Sequence, residues 1–357
     1  MADAQPFRAV RYAGAAGSLA DLVAPPYDAV DDAERAELYT RSPYNVLHLT
    51  LPDSAEEAGR LYREWLARGI LVRDQDSSAW LAVESYVGPD GVPRERHGLI
   101  VSLLAEPYEA GTVVPHERTY ARIREDRLRL LRETRVQPEP ILLLTDRSIT
   151  VETPASEADI EVGGTRLWRT VAPEFEPGRL LIADGHHRYE CAVDLARECG
   201  GEETRIMVLV VSKDDPGLHV FPTHRVFAGR PDLADLREGK SCRDLDDAFS
   251  MLRAEPYERS VAIAYRRRGV ELVRGGQGEL DAELVDRHGL EGITYTPRVE
   301  EAVGAVDRRE ADVAFLLRDP RVEDVFAVAL RGERMPAKST YFYPKPLSGL
   351  LFHPLDP

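Results

Sequence analysis

Arg179-Leu180-Leu181-Ile182-Ala183-Asp184-Gly185-His186-His187-Arg188-Tyr189-Glu190-Cys191-Ala192 decides how the rest of the chain is read. Its first half is an apolar run of strand length. After Gly185 the spacing turns helical, with Ala192, Leu195 and Ala196 on one face at i, i+3 and i+4. A strand that runs into a helix leaves the first helical N–H groups unpaired, and with the helix dipole they attract an anion such as phosphate. Gly185 has no Cβ, so a ligand can come close to the backbone. His186 and His187 add donors, and Arg188 can grip a phosphate through two parallel hydrogen bonds. Asp184, at the strand's end, suits a Mg²⁺ that bridges phosphates. Taken singly, each residue has a plainer use, since adjacent histidines cap surface helices and Asp-Gly is an ordinary turn. The five together favour a phosphate-binding strand–turn–helix.

Upstream, Val23-Ala24-Pro25-Pro26-Tyr27-Asp28 is held extended by its prolines, either lining something or linking into a helix over about Asp31 to Tyr39. In Ser42 to Leu51, the alternation of Val46, His48 and Thr50 against Leu47, Leu49 and Leu51 predicts a strand. Ala55 to Arg68 reads as an amphipathic helix stopped by Gly69. Ala79 to Val87 and Arg96 to Leu104 read as a hairpin around Gly88-Pro89-Asp90-Gly91. His116, Glu117, Arg118 and Thr119 fall in a polar loop, where function concentrates. The helix from Tyr120 to Arg132 carries Arg122, Arg124, Arg127, Arg129 and Arg132, which serve an anion or a solvated face paired with its own acids. Pro140 to Thr145 is a buried-type strand, and the stretch from there to Gly178 reads as polar connection.

Downstream, Arg205 to Val211 is another apolar strand, and His224-Arg225 forms a second His-Arg pair in a proline-bounded turn. A boundary near Arg230-Pro231 separates a core of residues 1–230 from a smaller α/β unit of residues 231–357. The segment Met335 to Lys345, with Lys338, Ser339, Thr340, Tyr341, Tyr343 and Lys345 between prolines, is too specific for a frayed end. It is expected to fold back to the cleft and bring Lys338 or Lys345 near bound phosphates. The alternative is packing of its aromatic residues against the second unit.

Composition narrows the function. The chain has 357 residues, 43% of them hydrophobic and 30% charged, as in ordinary globular proteins. A net charge of -16 argues against a broad nucleic-acid-binding face, though not against a small basic pocket. No run reaches the length of a membrane span, and Met1 to Val10 lacks a signal pattern, which points to the cytoplasm. Three cysteines have no metal spacing and are too few for a disulfide framework, and Cys191 is expected to be a buried, inert thiol.

Several stretches in order resemble the bacterial and archaeal domain-of-unknown-function family 1015: Pro25-Pro26-Tyr27-Asp28, Ser42-Pro43-Tyr44-Asn45, Pro115-His116-Glu117-Arg118-Thr119 with Asp126-Arg127-Leu128, Ala183 to Tyr189, His224-Arg225-Val226, and Lys338-Ser339-Thr340 with Tyr343-Pro344-Lys345. More distantly, Asp184-Gly185-His186-His187-Arg188 is similar to the phosphate motif of the ParB/sulfiredoxin superfamily, and closest to its free-serine kinases. It departs from sulfiredoxin, which has a Cys where His186 stands, and from ParB, whose basic DNA-binding domain has no counterpart here. The resemblance implies a mixed-sheet α/β fold with a ParB/sulfiredoxin-like core.

The function implied is a small-molecule kinase that moves a phosphoryl group from ATP or ADP to the hydroxyl of free serine or a similar metabolite. In that reading Asp184, Gly185, His186, His187 and Arg188 hold the nucleotide and Mg²⁺. Glu117 is the base, with Asp28 its rival. His116, Arg118, Lys338 and Lys345 neutralise charge, and Arg127, His224, Arg225, Ser339 and Thr340 join the nucleotide site. The alternatives are a nucleotide-binding switch that hydrolyses slowly while regulating a partner, and a metal hydrolase. The hydrolase lacks the His-Glu-x-x-His spacing.

Overall fold

The computed structural model describes residues 3–149, 152–170, 177–199 and 204–355. Its centre is a mixed nine-stranded sheet. Strand Leu180–Asp184 runs parallel to Val113–Pro115 on one side and antiparallel to Ile141–Thr145 on the other. Ile141–Thr145 is parallel to Arg205–Ser212, after which the sheet is antiparallel through Pro93–Leu104, Ala79–Val87, Thr165–Thr170 and Ile160–Val162. Ala4–Gln5 pairs with the far end of Pro93–Leu104.

Both faces of this sheet are covered, which explains the continuous apolar runs in Ile141–Thr145, Leu180–Asp184 and Arg205–Ser212. Leu180 and Ile182 pack with Leu143, Val208 and Val210 beneath Tyr189, Ala192 and Val193 of helix His186–Cys199. Leu181 and Ala183 face the other way, with Leu142, Leu144 and Leu209. There they meet Val325 of helix Val322–Leu330 and Phe342, Leu350 and Leu351 of the C-terminal segment. Each of the leucine, isoleucine, valine and phenylalanine side chains contributes about 1.5–3 kcal/mol on burial. The predicted helices appear as Asp32–Arg41, Ala55–Ala67 and Ala121–Thr134, and the predicted hairpin as Ala79–Val87 with Pro93–Leu104.

A second sheet of six strands is antiparallel throughout, in the order Lys240–Cys242, Gly269–Gln277, Arg259–Arg266, Val313–Leu316, His224–Phe227 and Ile293–Thr296. Helices Leu245–Ala254 and Val299–Asp307 cover one face, and Asp281–Asp286 covers the other.

Three expectations are corrected. Leu47–Thr50 is a helical turn, not a strand. Its alternation is incidental, because the buried positions are Val46, Leu47, Leu49 and Thr50, a helical set, and the buried Asn45 carboxamide caps the Leu47 N–H at 2.9 Å. The stretch before Gly178 is not only connection. Ile160–Val162 and Thr165–Thr170 form a hairpin that extends the sheet, while residues 150, 151 and 171–176 lie outside the described residues. His224-Arg225 sits in a strand rather than a turn. No helix of the described residues is long and apolar enough to cross a membrane.

Candidate active site

Strand Leu180–Asp184 passes through Gly185 into helix His186–Cys199, as its sequence predicts. Gly185 has φ +94°, a conformation that favours glycine, and a Cβ there would lie 3.0 Å from the Arg188 guanidinium. The first helical bond runs from the Tyr189 N–H to the Gly185 carbonyl at 2.9 Å, so the N–H groups of residues 186–188 precede the helical ladder.

Arg188 folds back over the turn. It donates to Asp184 Oδ2 at 2.7 Å and to the Pro140 carbonyl at 2.8 Å, and lies 3.4 Å from Glu139 Oε1. Burial works against its charge, but Glu139, Asp184 and Asp28 outweigh that and hold it firmly protonated. The C-terminal segment returns to the same place. Lys345 Nζ lies 3.0 Å from Asp184 Oδ1 and donates to Asp28 Oδ2 at 2.6 Å. Burial lowers the pKa of this lysine, and Asp184 and Asp28 more than reverse the effect. Partial burial pushes Asp28 up in turn, yet Lys345 and then Arg188 bring its carboxyl below the usual range.

The segment is anchored along its length. The Met335 N–H donates to the His116 carbonyl at 2.8 Å, and Ser348 exchanges backbone bonds with Ala24 beside the Pro-Pro-Tyr-Asp run. Ser348 Oγ also donates to Glu139.

His116 is buried, with Nδ1 2.7 Å from the Ile182 carbonyl and Nε2 3.0 Å from Thr340 Oγ1. A carbonyl only accepts, so Nδ1 carries the proton and Nε2 accepts from the Thr340 hydroxyl. Burial keeps the ring below the usual imidazole range. It is therefore a neutral clasp between strand and tail, with no proton to offer a phosphate, contrary to the charge-neutralising expectation. His186, also buried, is pushed well down, first by burial and then by His116 and His187, and its Nε2 accepts the His116 N–H at 3.4 Å. His187 is half-buried, and its Nε2 accepts the Tyr120 N–H at 2.9 Å. Burial lowers it, while Glu190, Asp28 and Glu117 pull it back up. Glu117 is one-third exposed, with Oε1 3.9 Å from His116 Nε2.

Arg118 and Lys338 are exposed, and their side chains have no hydrogen bond or ion pair among the described residues. Lys338 acts electrostatically on His187. Arg127 donates to the Thr50 carbonyl at 2.6 Å and lies 4.2 Å over the Tyr27 ring.

Other expected residues have different duties. His224 Nδ1 accepts the Leu317 N–H at 3.2 Å, and burial pushes the ring down to about 4. Arg225 is fully buried. It donates to Asp286 at 3.1 Å and to the Thr223 carbonyl at 2.7 Å, and lies 3.4 Å from the Lys338 carbonyl. Both are commitments of the second sheet, and Arg225 ties that sheet to the tail. Ser339 is buried and bonds the Pro336 carbonyl within its own turn. Cys191 is buried as expected, and burial pushes its thiol up to about 12.

Mg²⁺ on Asp184 does not fit this donor set. Both carboxylate oxygens already face cations, and no cluster of three or more His, Cys, Asp or Glu side chains suited to a metal exists among the described residues. Sequence reasoning passed over Glu139 and Arg334. Glu139 carried a signal, being a lone acid between two prolines just before a buried strand. Arg334 acts electrostatically on His116 and His186, and an arginine in a loop carried none.

The family model described as "Protein of unknown function (DUF1015)" matches residues 4–286. Among curated proteins no match is found. Solved structures similar to this chain include a conserved hypothetical protein from Pyrococcus furiosus, at 18% identity and a TM-score of 0.39, covering 70% of this chain and 93% of the other. A free serine kinase in complex with AMP is similar at 17% identity and a TM-score of 0.42, covering 71% and 91%. C-terminally truncated SbnI from Staphylococcus aureus is similar at 14% identity and a TM-score of 0.39, covering 65% and 79%.

Proposed function

The chain belongs to the protein family of unknown function DUF1015, and from that premise we propose that it is a phosphotransferase. It moves a phosphoryl group from an adenine nucleotide, ATP or ADP, to the hydroxyl of free serine or a similar small metabolite. The observation that carries this reading is convergence: Asp28, Glu117, Asp184 to Arg188, and Lys338 to Lys345 meet at the start of one helix. Phosphoryl transfer requires positioning, charge neutralisation and a base for the hydroxyl, and little else from the protein. The resemblance of Asp184 to Arg188 to the free-serine-kinase motif supports the same class.

The phosphates bind at the N–H groups of residues 186–188, where the helix dipole favours negative charge. Lys338, exposed and without a hydrogen-bond or ion-pair partner among the described residues, acts on His187 at the same turn, Arg118 follows the base Glu117 in the chain, and Lys345 is a tethered cation between two carboxylates. The acceptor hydroxyl oxygen attacks the terminal phosphorus. A new P–O bond forms, the bond to the nucleotide's leaving phosphate oxygen breaks, and the hydroxyl proton passes to Glu117. Asp28 is the poorer base, because Lys345 holds it ionised and low. It anchors the lysine instead.

Glu117→Gln keeps size and hydrogen bonding and removes the base. The variant is expected to lose turnover by about 10²–10⁴-fold while binding AMP as before. Turnover of ATP or ADP, followed with serine and related hydroxy compounds, gives the measurement. Unchanged phosphoryl transfer would remove Glu117 from the mechanism. A nucleotide-binding switch would show tight binding and no transfer to any acceptor.

A further inference from the structure

Behind Arg188 lies a cleft with a cavity volume of about 60 Å³, several times the minimum that holds one water. Its apolar lining includes Leu49, Leu130, Leu131 and Val136. Its polar lining includes Tyr27, Thr134, Gln137, Glu139 and Arg188, and through Arg188, which bonds Asp184, the cleft adjoins the phosphate turn.

Two groups in this cleft are left over by the fold. The first is Arg127. On its helix Arg124 faces Glu190 and Asp194 at 3.3 and 3.5 Å, Arg129 faces Glu56 at 2.5 Å, and Arg132 pairs with Glu198. Arg127 is half-buried and has no carboxylate partner among the described residues, only the Thr50 carbonyl and the Tyr27 ring. A cation withdrawn from water without a counter-ion is costly unless something anionic arrives. The second is the Thr50 hydroxyl, which is buried without a hydrogen-bond partner, on a residue 3% exposed. Arg127 bonds the carbonyl of that same Thr50, so a guanidinium and a free hydroxyl stand together in a chamber whose other charged lining, Glu139 and Arg188, is already paired.

We infer that this chamber binds the phosphate acceptor as a small carboxylate with a short aliphatic body, the carboxylate on Arg127 and Thr50 and the body against Leu49, Leu130, Leu131 and Val136. The assignment rests on the phosphotransferase reading for the word acceptor, but not for the anion site. It separates two anions: the acceptor's carboxylate at Arg127 and the nucleotide's phosphates at residues 186–188. A guanidinium suits a carboxylate because it offers two parallel donors.

The test is calorimetry on the full chain with L-serine and L-homoserine, each against its neutral carboxamide, and with AMP as the nucleotide probe. The acids are expected to bind at least about tenfold more tightly than the amides, the scale of one hydrogen bond to a charged group. Arg127→Met, which keeps an aliphatic stem and removes the guanidinium, should weaken the acids by about tenfold or more and leave AMP affinity within about twofold. Leu131→Phe, which fills the chamber without touching the cation, should do the same and guards against an Arg127 variant that fails to fold. Equal loss of AMP affinity in Arg127→Met would assign the arginine to the nucleotide and overturn the inference. So would acids that bind no better than amides, or that do not bind at all. If the acids bind as described yet no phosphoryl transfer occurs, the chamber stands and the phosphotransferase reading falls. If transfer to both acids proceeds unaltered in Arg127→Met, the reverse holds.

Discussion

Gly185 and Lys345 decide the site at the scale of single residues. Alanine at 185 must adopt φ +94° and would press its Cβ against the Arg188 guanidinium at 3.0–3.2 Å. Gly185→Ala is therefore expected to cost about 1–2 kcal/mol in urea unfolding, and to weaken AMP binding by about tenfold or more as Arg188 is displaced. Retained AMP affinity in calorimetry would show that the turn does not hold the phosphates. The two lysines of the tail separate by their environment. Lys345 is paired to two carboxylates, so Lys345→Met should lower stability by about 2–3 kcal/mol along with turnover. Lys338 is exposed and its ammonium has no partner among the described residues, so Lys338→Ala should leave the melting temperature unchanged and reduce turnover alone. Much of this cluster was legible beforehand, because Asp184 to Arg188 combine a strand end, a glycine and three donors within five residues. The neutral state of His116 was not. It depends on the Ile182 carbonyl and on Thr340, the latter 224 residues away, and no local pattern records such partners.

Among the elements, the errors of sequence reading have local causes. Leu47–Thr50 alternates like a strand, but Asn45 overrides the alternation by capping Leu47 and by donating to the carbonyls of Asp21 at 2.8 Å and Val23 at 3.3 Å. Asn45→Ala deletes all three bonds at a fully buried position and is expected to cost about 2–4 kcal/mol, measured by urea unfolding. A cost below about 0.5 kcal/mol would mean that packing alone makes the turn, since surface-like substitutions fall in that range. The hairpin Ile160–Val162 to Thr165–Thr170 carried a usable signal in Gly163-Gly164, whose φ values of +59° and +80° suit a primed turn. It went unread because the arms are short, only Ile160 and Val162 alternating with Glu161 on one side and Thr165 to Trp168 on the other. The strands Ile141–Thr145, Leu180–Asp184 and Arg205–Ser212 were legible because both faces of the sheet are covered, which makes them continuous apolar runs.

For the molecule as a whole, burial of imidazoles sets the response to pH. His224, in the second sheet, and His353, paired with Ser102 at the far end of the first, are both pushed down to about 4 by burial. His116 and His186 at the site are shifted the same way. An unfolded imidazole titrates near ~6.5. Between about 4 and 6.5, then, the unfolded chain binds protons that the folded chain does not, and stability rises with pH across that window. His224 and His353 each contribute at most about 3 kcal/mol of this difference, from their shift of about 2.5 units. The Asp28–Lys345 pair acts outside the window. Asp28 is lowered, so its contribution is present above about pH 4 and is lost as pH falls through its folded value. Lys345 is raised, so its contribution is complete below about pH 10 and fades only as pH climbs through its folded value. Urea unfolding measured from pH 4 to 8 should therefore show a plateau from about 6.5 upward and a steep fall below it, whereas above about 8.5 the unfolded Cys191 thiol ionises, the buried one does not, and stability declines again. His353→Gln and His224→Gln each remove one titrating ring, whatever else they cost. Each is expected to flatten the slope between pH 4 and 6.5, and the double variant to flatten it further. A double variant with the parent's slope would mean that neither of these two rings opposes folding in acid, and that His116, His186 and the carboxylates account for the loss.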